Sequence, residues 1–83
     1  LSVYDKARQS YERAIALCDK ANRPDNDPER LKVSSRLEET YRQESDFTKA
    51  IELNEKEQKA VSGDKIQLAK KLNDLALLYK EQG

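Results

Sequence analysis

The chain has 83 residues, of which 39% are charged, 36% hydrophobic and only four Gly or Pro. This length allows one small domain with a thin core, and the composition favours helix over sheet or disorder. Sixteen basic residues balance sixteen acidic ones, so no net field draws the chain to nucleic acid or to an anionic membrane.

One cysteine, Cys18, excludes an internal disulfide and fits a reducing, intracellular and cytoplasmic setting. No apolar run approaches the roughly 20 residues of a membrane span, and no signal-peptide pattern opens the sequence. The absence of histidine removes the commonest general base. The two glycines, Gly63 and Gly83, lie too far apart for a phosphate-cradling loop. No basic cluster interleaves with aromatics as single-strand binding requires. Composition and spacing therefore argue against an enzyme and call for no cofactor or metal.

Four helices are predicted. The first spans Val3–Ala21, with Ser2 and Asp5 as a capping box. Tyr4, Ala7, Tyr11, Ala14, Ile15 and Cys18 follow the three-four spacing of one buried face. Pro24 and Pro28 break the chain after it. The second helix spans Pro28–Glu44, with Asp27 as N-cap and Pro28 in the first turn. Its stripe is Val33, Leu37 and Tyr41, with Ser34 beside it.

The third helix, Phe47–Val61, is entered by Ser45-Asp46. Its stripe is thin and turns polar: Phe47, Ala50, Ile51, then Asn54, Gln58 and Val61. Ser62-Gly63-Asp64 closes it, with Gly63 expected in the left-handed region. The fourth helix, Lys65–Gln82, carries Ile66, Ala69, Leu72, Leu75, Ala76 and Tyr79 on one face. Leu68, Leu77 and Leu78 widen that face, so neighbours are expected on both sides. Glu38–Arg42, Glu52–Lys56 and Glu55–Lys59 are expected as solvated pairs worth ~0.2–0.5 kcal/mol each. Their carboxylates are expected to titrate ordinarily.

A pattern recurs along this series. Leu37-Glu-Glu-Thr-Tyr41 returns as Leu75-Ala-Leu-Leu-Tyr79, 38 residues on. Asp46-Phe47-Thr-Lys49-Ala50-Ile51 is matched upstream by Val3-Tyr4-Asp-Lys6-Ala7-Arg8. A helical period near 40 residues marks a stacked-repeat solenoid. The run Leu37 to Glu52 resembles the tetratricopeptide repeat, and Ala69 to Gly83 resembles the first helix of its long, kinesin-light-chain-like form. The resemblance implies an all-α fold of antiparallel helix pairs: about two repeats over residues 1–83, as a piece of a longer solenoid. It also implies that small Ala7, Ala50 and Ala76 let helices approach, while Tyr4, Tyr41, Phe47 and Tyr79 plug the gaps between turns. Glu38, Ser45, Asn54, Glu57 and Gln58 depart from the family pattern and predict a loose, polar middle repeat.

In such proteins the first helix of each repeat lines a concave groove. The resemblance places Lys32, Ser35, Arg36, Glu39, Arg42 and Gln43 there from the second helix, and Lys70, Asn73, Asp74, Leu77, Lys80 and Glu81 from the fourth. Asn73 matches an asparagine that holds a peptide backbone in the family, whereas Asp74 replaces a second. The carboxylate-clamp residues of chaperone-binding members are not recognisable. The expected role is a protein-interaction scaffold or adaptor taking a protein or peptide partner of acidic character. Another role is self-association, with Tyr4, Ala7 and Tyr11 of one chain meeting Leu75 and Tyr79 of another, as a homo-oligomer closed or head to tail. In a monomer those two faces would instead close on each other as a four-helix bundle.

Overall fold

The computed structural model describes residues 2–83. Among them are four α-helices: α1 (Val3–Lys20), α2 (Pro28–Gln43), α3 (Phe47–Ala60) and α4 (Lys65–Gln82). Each expected boundary is met within one residue, and local capping explains why. Ser2 accepts from the Asp5 amide and Asp5 accepts from the Ser2 amide, completing the capping box. Asp27, Asp46 and Asp64 accept from the amides of Arg30, Lys49 and Gln67, capping the next three helices.

The helix ends are equally local. Asn22 (φ 56°) and Ser45 (φ 61°) adopt left-handed backbone. The amides of Arg23 and Asp46 then bond back to the carbonyls of Cys18 (2.9 Å) and Tyr41 (2.8 Å). Those six-to-one bonds are the Schellman closure, which satisfies otherwise free carbonyls. Gly63 departs from expectation: its φ is not positive. There the Asp64 amide bonds the Val61 carbonyl in an ordinary turn, so the left-handed residue is not needed.

Short connections turn each helix back along its predecessor, and packing runs α1 on α2, α2 on α3 and α3 on α4. The result is a flat layer, 30 × 28 × 15 Å. The α1 and α4 faces do not close into a four-helix bundle. The core sits where α2, α3 and α4 meet: Leu37, Tyr41, Ala50 and Leu78, flanked by Tyr11, Ile15, Phe47, Ile51 and Leu53. Tyr41 and Ala50 are buried in this core, and Phe47 is half-buried against it.

The outer helices deviate. On α4 the inward residues are Lys71 and Leu78, with Leu68, Asp74 and Leu75 half-buried. Ile66 (69% exposed), Leu72 and Tyr79 (53%) face outwards, with Ala69 and Ala76 beside them. On α1, Val3, Tyr4 and Leu17 are exposed, and Ala7 is half-buried. Tyr79 therefore plugs no gap among the described residues, and Tyr4 lies open in the groove between α1 and α2. No helix among the described residues is long and apolar enough to cross a membrane.

Candidate functional site

α2 is the crest of one broad face, with a furrow on either side. Towards α4 the furrow begins as a cavity of about 570 Å³ walled by Leu31, Lys32, Ser35, Val61, Gln67 and Lys71. It narrows between Glu39 and Arg42 on one side and Asp74, Leu77 and Leu78 on the other. Towards α1 a second groove, about 340 Å³, holds Val3, Tyr4, Ala7 and Tyr11 against Arg36, Glu39, Thr40 and Gln43.

The expected groove residues divide accordingly. Lys32, Glu39, Arg42 and Leu77 come together along the α2–α4 furrow. Arg36 stands in the α1–α2 groove. Lys70, Asn73 and Lys80 are exposed on α4 but wall neither. Of the self-association set, Tyr4, Ala7 and Tyr11 line the α1–α2 groove. Leu75 is half-buried and Tyr79 exposed on α4, at the other edge of the layer.

Charge is distributed unevenly over this face. Arg42 is already engaged by Glu39 and by Glu81, the latter at 3.1 Å, and so ties α2 to α4. Glu39 holds the Arg42 proton tightly and raises its pKa. The expected Glu38–Arg42 pair is thus replaced, and Glu38 is buried. Glu52–Lys56 and Glu55–Lys59 do not close to ion-pair distance either. By contrast, Lys32, Arg36, Lys70 and Lys80 have no ion-pair partner among the described residues. Lys32 and Arg36 thus each border a furrow without an ion-pair partner, Lys70 and Lys80 lie on the adjoining α4 surface, and Asp74 sets a carboxylate in the α2–α4 furrow.

Elsewhere the pairs are structural. Arg8 on α1 reaches Glu44 at the end of α2 at 3.0 Å and Asp5 at 2.9 Å. That contact raises the Arg8 pKa and, with the Ser2 bonds, lowers that of Asp5. Buried Arg30 gathers Asp19 from the last turn of α1 and Asp25 from the α1–α2 connection. The Tyr41 hydroxyl donates to Glu12 at 3.2 Å; burial and that carboxylate push it up to about 12.

The middle of the layer is wired rather than loose. Asn54, Glu57, Glu38 and Lys71 are buried together and joined by hydrogen bonds and one ion pair. Ordinary titration therefore fails at Glu38. Its carboxyl is pushed up to about 9, by burial first and by adjacent Glu57 next. The sequence signal was Lys71 at the spacing of Leu68, Leu75 and Leu78, which forces a lysine onto an apolar face.

Cys18 is half-buried and its thiol is free. No group of three or more His, Cys, Asp or Glu among the described residues is arranged to hold a metal ion. No protein-family model, curated protein or solved structure matches the chain.

Proposed function

We propose that this chain is a non-catalytic protein-interaction module, a tetratricopeptide-type solenoid segment that takes an acidic peptide or helix on the α2–α4 face. The observation that supports the reading is a set of exposed cations without ion-pair partners on the same two helices as exposed Leu77: Lys32 and Arg36 on α2, Lys70 and Lys80 on α4. Carboxylates of a partner would gain charge-assisted bonds there. Leu77, 39% exposed, offers apolar surface to cover. Arg42 and Glu39 serve as wall, since each already satisfies the other.

The test is fluorescence titration with a labelled peptide alternating Glu and Leu, against its Lys/Leu counterpart. Binding of the acidic peptide alone, lost in Arg36→Glu and Leu77→Asp while the far-UV spectrum is kept, supports the reading. Equal binding by both variants removes this surface from consideration.

A second reading rests on a separate observation. The exposed apolar residues Leu17 on α1, and Ile66, Leu72 and Tyr79 on α4, belong to the two outer helices of the layer, with exposed Tyr4 open in the α1–α2 groove. Chains associating edge to edge would cover them. A mass that stays monomeric over a hundredfold concentration range would remove this second reading.

A further inference from the structure

A largely buried polar cluster lies at the floor of the furrow, where Ser35, Glu38 and Lys71 also line it. Its members come from three helices: Glu38 and Ser35 from α2, Asn54, Glu57 and Gln58 from α3, and Lys71 from α4. Asn54 Nδ2 donates to Glu38 Oε2 at 3.3 Å and to the Lys71 carbonyl at 3.0 Å. Its Oδ1 accepts from Gln58 at 2.7 Å. Lys71 Nζ donates to Ser35 Oγ at 2.7 Å and lies 3.5 Å from Glu57 Oε1. The Ser35 hydroxyl donates to Glu57 Oε2 at 3.4 Å.

Two deficits remain. Oε1 of Glu38 and Oε1 of Glu57 are buried without a hydrogen-bond donor. Also, the cluster holds two carboxyls and one ammonium, so full ionisation would leave one uncompensated negative charge out of water, which is strongly disfavoured. A single proton removes both deficits. It cancels the excess charge and turns one carboxyl into a donor towards the other.

We propose that Glu38 and Glu57 share one proton at the junction of α2, α3 and α4, making this junction a proton-binding site that holds α4 to the rest of the layer. The other charged groups around Glu38 do not supply the missing charge. On its own helix, Arg42 is engaged by Glu39 and Glu81. On α4, Asp74 adds a further carboxylate beside the same narrow furrow. On α1, Arg8 and Glu12 are turned to Glu44 and Tyr41.

The sign of the linkage follows. The Glu38 carboxyl is raised from its ordinary 4.5 to about 9 in the folded chain. Between those values the folded state binds more protons than the unfolded state. Stability is therefore greatest at the acid end of that window and falls as pH rises through it. One coupled proton changes the folding equilibrium constant by up to tenfold per pH unit.

The deciding experiment follows the glutamate side-chain carboxyls by carbon-13 NMR in the full chain from about pH 3 to about pH 10. Urea unfolding of wild type, Glu38→Gln and Glu57→Gln is measured over the same range. The expected result is one wild-type carboxyl titrating far above the others and missing in Glu38→Gln. The wild-type folding constant falls from about pH 5 to about pH 9, while that of Glu38→Gln stays nearly flat. In Glu57→Gln, Glu38 is left with Lys71 as its counter-charge and titrates at lower pH. Carboxyls that all titrate in the ordinary range would overturn the proposal, as would parallel pH profiles for wild type and Glu38→Gln. If either variant fails to fold, the wild-type titration decides alone.

Discussion

The side-chain amide of Asn54 on α3 donates to the backbone carbonyl of Lys71 on α4 at 3.0 Å, deep between the two helices. The same amide also reaches Glu38 on α2, so one short side chain joins three of the four helices. An apolar residue of similar size would fill the space but take the donor from Glu38 Oε2 and the acceptor from Gln58. Asn54→Leu should therefore lower stability by about 2–3 kcal/mol, the usual cost of orphaning buried polar groups. Urea denaturation at constant pH reads it. A loss under about 0.5 kcal/mol would mean that the network contributes little.

Ser45 offers a gain instead. Its φ of 61° is held by the Schellman closure of α2, and a side chain in the left-handed region costs roughly 1 kcal/mol. Ser45→Gly relieves that strain and gives back part of it through a freer unfolded chain. The expected net is a stabilisation of about 0.5 kcal/mol, seen as a higher urea midpoint with an unchanged slope. A lower midpoint would contradict it.

Leu78 is the most buried large apolar residue, 1% exposed, in the core shared by α2, α3 and α4. Leu78→Ala should cost about 2–5 kcal/mol. Leu72→Ala, earlier on the same helix and on its outward side, should cost less than about 1 kcal/mol in a monomer. Comparable losses from both, in chains shown to be monomeric, would mean that α4 is rotated from the orientation described.

Much of the fold could be read from the sequence because helix ends are local. Ser2, Asp27, Asp46 and Asp64 each cap through an amide three residues on, which spacing alone reveals. The polar junction was harder to foresee. Glu38 has Arg42 four residues on, and a surface pair looks natural until α4 is placed; then Arg42 prefers Glu39 and Glu81, and Glu38 turns inwards. Asn54 and Glu57 read as a weakness in an apolar stripe for the same reason. Their partners, on α2 and α4, are distant in sequence. The sequence supplied a list of candidate surface residues, but neither their division between two grooves nor their charge balance could be read from it. Only the fold distinguishes engaged Arg42 from uncompensated Lys32, Arg36, Lys70 and Lys80.

Salt dependence offers an inexpensive check on that balance. If those cations attract the acidic peptide, its affinity should fall several-fold between about 0.05 M and about 0.3 M salt as the screening length shortens. A flat response would leave contact with Leu77 and its apolar neighbours as the source of affinity.

The most direct test of the interaction reading is amide and side-chain chemical-shift mapping on the whole chain, titrated with the Glu/Leu peptide. Saturable changes are predicted to cluster at Lys32 and Arg36 on α2 and at Lys70, Asn73, Leu77 and Lys80 on α4. Changes confined to the outer faces of α1 and α4, or none at all, would contradict it.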